Sequence, residues 1–411
     1  MLKRRDLVRS MAGGLAALAG MRVLSPSVLG AEPSLGPDVL PAGTLESSFL
    51  HGLAGKKPLI KKSYRPPNYE TPVRYFAEAF TPNELFFVRY HLSRIPELNA
   101  KRWKLRIAGE AVKQPFELTM EELRRDFETV EINALCQCSG NRRGLFSPHV
   151  PGIQWGYGAM GNARWKGVRL KDILNHAGLR ASALEVSFNG ADAGLLPKTP
   201  DFIKSLPLWK ATDENTLIAL EMNGQALPHW NGYPARLIVP GWTATYWVKQ
   251  LTDIEVISRP FQGFWMKTAY RIPKGRFALR EVFATQEDET TTPITEMLVN
   301  SLIINPEEGQ RFETESPIAV QGIAWDGGYG IARVQVSVDG GTNWSEAALG
   351  RDLGRFSWRQ WSYPFKPQRA GNYGLRVKAT NSHGDTQAHE LIPNPAGYHH
   401  NLVQRVNIRV V

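Results

Sequence analysis

The chain of 411 residues carries a formal net charge of +10, and its length exceeds what one hydrophobic core usually supports, which predicts two domains. Residues 1–31 hold five basic side chains and one acid, so the remaining chain carries about +6, from 10 minus 4. This modest charge, without a run of Lys and Arg that follows phosphates, argues against a nucleic-acid-binding protein. Two cysteines exclude a disulfide scaffold, and no Cys-x-x-Cys-His sequence is present to attach a c-type haem covalently.

Residues 1–31 predict an export signal. Arg4 and Arg5 precede a weakly hydrophobic run from Met11 to Leu24, and small residues follow it. A basic start, a short apolar core and small residues are typical of a cleaved signal peptide, and the paired arginines resemble a twin-arginine signal. A membrane anchor is less favoured, because the run is Gly-rich and shorter than the roughly 20 residues of a spanning helix. We therefore expect periplasmic location by the twin-arginine route, without stable membrane insertion.

The next stretch, residues 32–71, is rich in Pro, Gly and Lys and predicts an extended N-terminal segment. Strand-like and helix-like stretches then alternate over residues 72–285. Thr119 followed three residues later by Glu122 is a capping box, and residues 170–177 predict a short helix closed by Gly178. Apolar strands lie around these helices, which predicts a mixed α+β domain.

Composition changes after about residue 285, where a polar, Thr-rich linker begins. Residues 295–411 contain short segments of alternating polarity, separated by Gly, Asn and Pro turns. Alternation with a period of two indicates half-buried strands, and many short strands with regular turns are typical of a β-sandwich. The sequence therefore predicts an all-β second domain.

Both cysteines fall in residues 135–144, which read Leu-Cys-Gln-Cys-Ser-Gly-Asn-Arg-Arg-Gly. Cys138 stands where a predicted strand gives way to a turn. Nearby cations favour the thiolate, which is the metal-ligating form, and the arginine forks of Arg142 and Arg143 match oxyanions. The alternative is two ordinary buried thiols, since free cysteine is among the most buried residues. Zinc is poorly supported at this spacing, and so is a disulfide between such close neighbours.

This segment resembles the molybdenum-ligating motif of the sulfite oxidase family of molybdopterin enzymes, in particular its bacterial periplasmic sulfite dehydrogenases. Further motifs follow in family order, at residues 86–91, 163–170, 221–228, 233–241 and 336–341. The resemblance implies an α+β molybdopterin-binding domain over residues 72–285. It also implies an immunoglobulin-like dimerisation domain over residues 295–411, and hence a homodimer.

The resemblance further implies a molybdenum held by one molybdopterin, with Cys138 as the metal ligand of the protein. Cys136 has no implied role and is expected to be a buried thiol. Arg89 and Arg143 correspond to arginines that bind the substrate, and Tyr270 to the active-site tyrosine. Arg142 is expected to be structural or to face the cofactor.

A further set of residues corresponds to cofactor contacts. Asp192 is expected to accept hydrogen bonds from the pterin N–H groups, and Arg236 and Lys249 to bind the cofactor phosphate. Asn231 stands where many relatives carry histidine. If residues 89–91 are extended, Arg89 and His91 share one face. The complete implied set is Phe87, Val88, Arg89, Tyr90, His91, Asp192, Asn231, Arg236, Trp247, Val248 and Lys249.

The implied reaction is the oxidation of sulfite to sulfate, with the electrons passed to an external c-type cytochrome because no haem is expected in this chain. Two alternatives remain. The first is another molybdopterin oxidoreductase on the same scaffold, acting on sulfane sulfur, sulfoxide or nitrate. The second is a non-catalytic binding protein of the immunoglobulin type. Several relatives also place an arginine from the second domain at the pocket, and here Tyr329 is the nearest equivalent.

Overall fold

Short strands make up most of the regular secondary structure in the described part of the chain. The structure is a computed structural model that describes residues 50–275, 286–287 and 289–411. The predicted signal peptide and residues 32–49 of the predicted N-terminal segment lie outside the described residues. Within the described part of the chain, no helix is long and apolar enough to cross a membrane.

The rest of the predicted N-terminal segment forms three strands of a sheet that carries part of the site, and the fourth strand comes from residues 88–89. Its strands are in the order β1-β2-β3-β4. Lys62 and Glu70 form a buried ion pair at 3.0 Å, and the Glu70 carboxylate accepts hydrogen bonds from the backbone N–H groups of Gly156 and Gly158, both at 2.8 Å. The segment is therefore fixed to the rest of the protein. The bounds are Leu50–Leu53 (β1), Lys56–Ser63 (β2), Asn68–Glu70 (β3) and Val88–Arg89 (β4).

Two further sheets share one large apolar core. The first has the strand order β10-β9-β14-β5-β6, and in the second, β12-β11-β8-β7, β13 also pairs with β11. The first sheet comprises Lys104–Ala108 (β5), Phe116–Thr119 (β6), Glu185–Gly190 (β9), Lys204–Pro207 (β10) and Leu251–Ile257 (β14). The second comprises Thr129–Gln137 (β7), Met160–Arg169 (β8), Leu217–Met222 (β11), Gln225–Ala226 (β12) and Arg236–Ile238 (β13).

The helices are short and lie between these strands. At the start of α1 the Thr119 hydroxyl accepts a hydrogen bond from the N–H of Glu122, while the Glu122 carboxylate accepts one from the N–H of Thr119. This confirms the predicted capping box, and the second predicted helix ends at Gly178 with φ +69°. Strands nevertheless outnumber helices in the described part of this domain. The α-helices are Met120–Asp126 (α1), Leu170–Ala177 (α2), Leu208–Ala211 (α3) and Phe264–Lys267 (α4), and the 3₁₀ helices are Val73–Ala77, Asn83–Leu85, Arg143–Leu145, His229–Asn231 and Ala244–Tyr246.

The C-terminal part contains two sheets around a second core. Their strand orders are β17-β19-β23-β22 and β18-β25-β24-β20-β21, and a separate hairpin pairs β15 with β16. Val320 and Trp361 from the first sheet pack in the same cluster as Val377 and Ile408 from the second, which confirms an all-β arrangement. The bounds are Arg271–Pro273 (β15), Thr291–Pro293 (β16), Asn300–Asn305 (β17), Arg311–Phe312 (β18), Ile318–Trp325 (β19), Ile331–Ser337 (β20), Ser345–Glu346 (β21), Ala348–Leu349 (β22), Arg359–Phe365 (β23), Gly371–Asn381 (β24) and Gln404–Val410 (β25).

The immunoglobulin-like description and the domain bounds at 285 and 295 stay predictions, and residues 276–285 lie outside the described part. The two cores are joined by a third cluster, in which Leu135 and Met160 pack against Leu302 and Trp325. This contact brings the C-terminal sheets next to the strand that carries the cysteines.

Candidate active site

Residues 87–91 alternate between a cavity and the core. The side chains of Phe87, Arg89 and His91 line the cavity, whereas Val88 and Tyr90 are fully buried in an apolar cluster on the other side. Successive side chains of an extended segment point to opposite faces, so the expected common face of Arg89 and His91 is found. The side chains of Val88 and Tyr90 do not line the cavity, and their predicted cofactor contacts stay predictions.

We call this space the inner cavity. It contains most of the predicted site residues, together with five that the sequence did not indicate: Ser139, Phe202, Trp230, Ala244 and Thr245. The lining residues are Phe87, Arg89, His91, Cys138, Ser139, Asp192, Phe202, Trp230, Asn231, Arg236, Ala244, Thr245, Trp247, Lys249 and Tyr270.

The two cysteines have different surroundings. Cys138 follows the end of β7 and lines the inner cavity, and its N–H donates a hydrogen bond to the carbonyl of Ala159 at 2.9 Å. Cys136 is fully buried and accepts a hydrogen bond from the Arg236 guanidinium at 3.3 Å. Burial raises the pKa of the Cys136 thiol. Only Cys138 therefore presents its thiol to the cavity, and Cys136 is the buried thiol that was expected.

A metal bound by Cys138 would need further ligands that are not side chains of the described residues. Among the described residues, no group of three or more His, Cys, Asp or Glu side chains is placed to hold a metal ion. A thiolate is a soft ligand, and the metals that it selects usually take several such donors. The donor set therefore fits a metal that arrives with its own sulfur ligands rather than a site built by the protein alone.

The inner cavity has an excess of positive charge. Arg89, Arg236 and Lys249 line it together with a single acid, Asp192. Burial, followed by the charge of Arg236, lowers the pKa of Lys249 to about 7, and burial raises the pKa of the Asp192 carboxyl. Arg236 Nε and Thr245 Oγ1 are buried without a hydrogen-bond partner in the described structure. Because buried donors and cations need partners, the cavity fits a ligand that carries a phosphate and further hydrogen-bonding groups.

Asn231 is fixed by a lysine from the N-terminal sheet. Lys56 Nζ donates to Asn231 Oδ1 at 2.5 Å and to the carbonyls of Asn83 and Phe86 at 2.6 Å and 3.0 Å. The Asn231 amide in turn donates to the carbonyl of Phe87 at 3.1 Å. Burial lowers the pKa of Lys56 to about 7. The asparagine thus links the strand of Arg89 to Lys56 of the N-terminal sheet.

The expected backbone contacts at residues 247–249 are only partly available. Trp247 and Lys249 line the inner cavity, and Lys249 Nζ donates to the carbonyl of Arg89 at 2.7 Å. Val248 is buried away from the cavity. Its N–H donates to the carbonyl of Tyr246, and its own carbonyl accepts from Leu237. The N–H of Val248 is thus engaged within the fold, and its predicted contact with the cofactor stays a prediction.

A second space, the outer cavity, adjoins the inner one. Arg89, His91 and Tyr270 line both, and Arg143 lines only the outer cavity. The outer cavity also receives side chains from the C-terminal part of the chain, which the sequence did not place there. Its lining residues include Asn68, Arg89, His91, Arg143, Ile153, Phe264, Trp265, Tyr270, Ala396 and Tyr398.

The shared residues form a hydrogen-bonded group. The Tyr270 hydroxyl is in contact with His91 Nε2 and accepts a hydrogen bond from the Arg89 guanidinium at 3.5 Å. Burial, followed by the charge of Arg89, lowers the pKa of His91 well below its usual value, so the imidazole is neutral near pH 7. Burial raises the pKa of the Tyr270 phenol, which keeps it protonated. Phe202 stacks on the His91 ring with centroids 3.8 Å apart.

Arg143 is held by backbone carbonyls from two segments. Its Nε donates to Ala396 at 2.7 Å and its terminal nitrogen to Ile153 at 3.2 Å. The guanidinium also lies over the Tyr398 ring, 5.1 Å from the centroid. In the described structure, no carboxylate forms an ion pair with Arg143. Its charge is therefore free to bind an anion in the outer cavity.

Arg142 was expected either to be structural or to face the cofactor, and its contacts are structural. It is buried, donates to Asn300 Oδ1 at 2.5 Å and to the carbonyl of Ser301 at 2.8 Å, and lies between the rings of Tyr157 and Trp325. The arginine thus joins the cysteine segment to the C-terminal sheets.

Tyr329, the expected nearest equivalent of a pocket arginine, lines neither cavity. The side chain is 50% exposed, and its hydroxyl donates to Glu296 at 3.1 Å. The Asp326 carboxylate accepts hydrogen bonds from the N–H groups of Gly328, Tyr329 and Gly330, which curls this turn at the surface. The C-terminal part instead reaches the outer cavity through residues 395–398.

Two known domain families match this chain. Residues 91–265 match the oxidoreductase molybdopterin binding domain, and residues 291–411 match the Mo-co oxidoreductase dimerisation domain. The chain has the fold of the sulfane dehydrogenase SoxCD from Paracoccus pantotrophus, with a TM-score of 0.73 and 24% identity over 95% of both chains. The two matched domains are thus those of molybdopterin oxidoreductases.

Two relatives identify the family. The chain is 33% identical to sulfite oxidase of Gallus gallus over 373 residues, which cover 87% of this chain and 79% of that protein. It is also 33% identical to mitochondrial sulfite oxidase of Rattus norvegicus over 364 residues, 85% of this chain and 65% of that protein. The chain belongs to the sulfite oxidase family, and the match spans just under two thirds of the rat protein.

Proposed function

We propose that this protein is a periplasmic, molybdenum-dependent sulfite dehydrogenase that oxidises sulfite to sulfate. The observation that carries the proposal is the group of Arg89, Arg143 and Tyr270 at the cavity next to Cys138. Two cations and a protonated phenol, held in a largely buried site, suit a small divalent oxyanion. Sulfite is such an anion, and the chicken and rat relatives are named sulfite oxidases.

The residues of the inner cavity fit one molybdopterin. Arg236 and Lys249 would bind its phosphate, Asp192 would accept hydrogen bonds from the pterin, and Cys138 would ligate the molybdenum. The unpartnered Arg236 Nε and Thr245 Oγ1 are donors that this ligand would satisfy. When bound, the molybdenum cofactor supplies two-electron redox chemistry and oxygen transfer.

The side chains bind and orient the substrate. Sulfite and one water give sulfate, two protons and two electrons. Arg89 and Arg143 hold the dianion from two sides, which offsets its loss of hydration. Tyr270 stays protonated and neutral His91 is in contact with its hydroxyl, so the tyrosine can donate a hydrogen bond to an oxygen of the substrate. The aromatic rings of Phe202 and Tyr398 pack against His91 and Tyr270.

The electrons pass to a separate c-type cytochrome. The chain contains no Cys-x-x-Cys-His sequence for covalent haem, and the N-terminal twin-arginine pattern supports a periplasmic enzyme. The match to a dimerisation domain over residues 291–411 supports a homodimer formed by an immunoglobulin-like C-terminal domain.

A substrate panel tests the proposal. The purified, cofactor-loaded protein is assayed with sulfite and an artificial electron acceptor, and in parallel with protein-bound sulfane sulfur, a sulfoxide and nitrate. Sulfite should give the highest kcat/KM. Turnover of sulfane sulfur, sulfoxide or nitrate without sulfite oxidation would assign the scaffold to that reaction instead. A protein that contains no molybdenum would support the non-catalytic alternative.

A further inference from the structure

Lys204 is a buried lysine next to the active site. It is the first residue of β10 and its side chain is fully buried. Its Nζ donates a hydrogen bond to the carbonyl of Trp265 at 2.6 Å. The ammonium also lies 4.5 Å from the ring centroid of Tyr246 and 5.3 Å from that of Tyr270. Within the described structure it forms no ion pair.

Such a lysine is expensive to bury. A buried ammonium loses its hydration, and one carbonyl and two aromatic faces replace only part of it. Burial accordingly lowers the pKa of Lys204 well below its usual value. Lys210, six residues further along the chain, is also buried, but its ammonium forms an ion pair with the Asp213 carboxylate at 3.1 Å. The unpaired state of Lys204 therefore calls for a reason other than stability.

The position of Lys204 beside Tyr270 and Trp265 suggests a role in the active site. The Tyr270 hydroxyl meets Arg89 and His91 at the cavities, while Lys204 lies against the Tyr270 ring. Trp265, whose carbonyl Lys204 holds, begins the short stretch that ends at Tyr270 and lines the outer cavity. Two residues before Lys204, Phe202 stacks on His91. Phe202 thus packs against His91, and Lys204 packs against Tyr270.

We propose that Lys204 is a positioning residue of the oxyanion site, which fixes the Trp265–Tyr270 segment and adds positive charge behind the Tyr270 ring. This inference rests on the proposed oxyanion substrate. A dianion in the cavity favours the charged ammonium, since an opposite charge nearby counteracts the effect of burial. A cation against the ring also draws electron density from the phenol, which makes its hydroxyl a better hydrogen-bond donor toward the anion.

The test uses the full-length, cofactor-loaded protein with Lys204→Met, Lys204→Gln and the control Lys210→Met. Inorganic sulfate is the unreactive anion whose Kd is measured, alongside KM and kcat for sulfite and the melting temperature. Lys204→Met should weaken sulfate binding about tenfold, equivalent to about 1.4 kcal/mol, and raise KM more than it lowers kcat. Its melting temperature should be unchanged or higher, because an apolar side chain of similar size replaces an unpaired cation.

The control and the second variant separate the two roles. Lys210→Met should lower the melting temperature, since Asp213 loses its partner, and leave the sulfate Kd unchanged. Lys204→Gln keeps a donor for the Trp265 carbonyl but removes the charge, and should weaken sulfate binding like the Met variant.

Sulfate affinity within about twofold of wild type in both Lys204 variants would overturn the inference. Wild-type affinity in Lys204→Gln alone would show that the positive charge of Lys204 does not contribute to anion binding. Wild-type protein that binds sulfate but does not oxidise sulfite would refute the proposed function and leave the role of Lys204 decided by sulfate binding.

Discussion

The rings of Tyr270 and Tyr398 lie parallel, with centroids 5.4 Å apart and an angle of 13° between their planes. Tyr270 precedes β15, whereas Tyr398 lies between the last two strands of the C-terminal sheets. Asn394 fixes the second ring, because its side chain accepts a hydrogen bond from the N–H of Tyr398 and donates one to the carbonyl. The C-terminal part of the chain therefore forms one wall of the outer cavity.

Tyr398→Ala should impair substrate binding. The substitution removes the stack on Tyr270 and the ring under Arg143, contacts that contribute about 0.5–1.5 kcal/mol each. The KM for sulfite should rise about tenfold, with the molybdenum content unchanged. Tyr329→Ala is the matched control, since this tyrosine is exposed and lines neither cavity. Equal kinetics in the two variants would mean that residues 395–398 do not contribute to the substrate site.

Arg89→Gln should lower the efficiency with sulfite on the order of ten- to a hundredfold or more. The change keeps hydrogen-bonding capacity but removes a charge-assisted contact of about 1.5–3 kcal/mol. Most of the loss should appear in KM, at normal molybdenum content. Arg143→Gln should act in the same way, and the double variant should fall short of additive if both side chains hold one anion. Arg106→Gln, on the exposed face of β5, is the control, and normal kinetics in Arg89→Gln would place the substrate elsewhere.

The two cysteines should respond differently to the same change. Cys138→Ser removes the thiol of the inner cavity and should abolish turnover. Cys136→Ser should be mild, because a hydroxyl can still accept the hydrogen bond from Arg236. Molybdenum content and kcat with sulfite are measured for both variants. Loss of turnover in both to the same degree would refute Cys138 as the only metal ligand of the protein.

Stability should fall in acid because several histidines are buried in the neutral form. Burial lowers the pKa of His400 to about 3 and that of His399 to about 4, whereas an unfolded histidine titrates near 6.5. Between these values the unfolded chain binds more protons, so the free energy of unfolding decreases as the pH falls below about 6.5.

For one such histidine, the loss between about pH 6.5 and 5 is about 2 kcal/mol. Denaturant titrations across this range measure it. His400→Phe should make the dependence on pH shallower. An equally steep dependence in His400→Phe would show that His400 is not buried as a neutral side chain.

Local signals predicted much of the first domain. The alternation at 87–91 correctly placed Arg89 and His91 on one face, because the direction of a side chain in an extended segment depends only on its neighbours. The capping box at Thr119 is likewise a contact within four residues. The motif around Cys138 predicted the thiol that reaches the cavity, since the turn that follows it is encoded in the adjacent Ser, Gly and Asn.

Contacts between distant segments could not be predicted in this way. Lys56 reaches Asn231 across 175 positions of sequence, and Tyr398 reaches the outer cavity from the far end of the chain. Both resemble ordinary strand or loop residues until the sheets are assembled. The same holds for Tyr329, which lines neither cavity: a Gly-rich turn can be recognised locally, but its position relative to the cavity depends on how the sheets pack.

Sulfite dehydrogenase activity is tested by the sulfite-dependent reduction of a c-type cytochrome. The purified protein is assayed, and its molybdenum content is measured in the same sample. We expect one molybdenum per chain and two cytochrome molecules reduced for each sulfate formed. Protein that is fully loaded with molybdenum yet reduces no cytochrome when sulfite is added, and forms no sulfate with any acceptor, would contradict it.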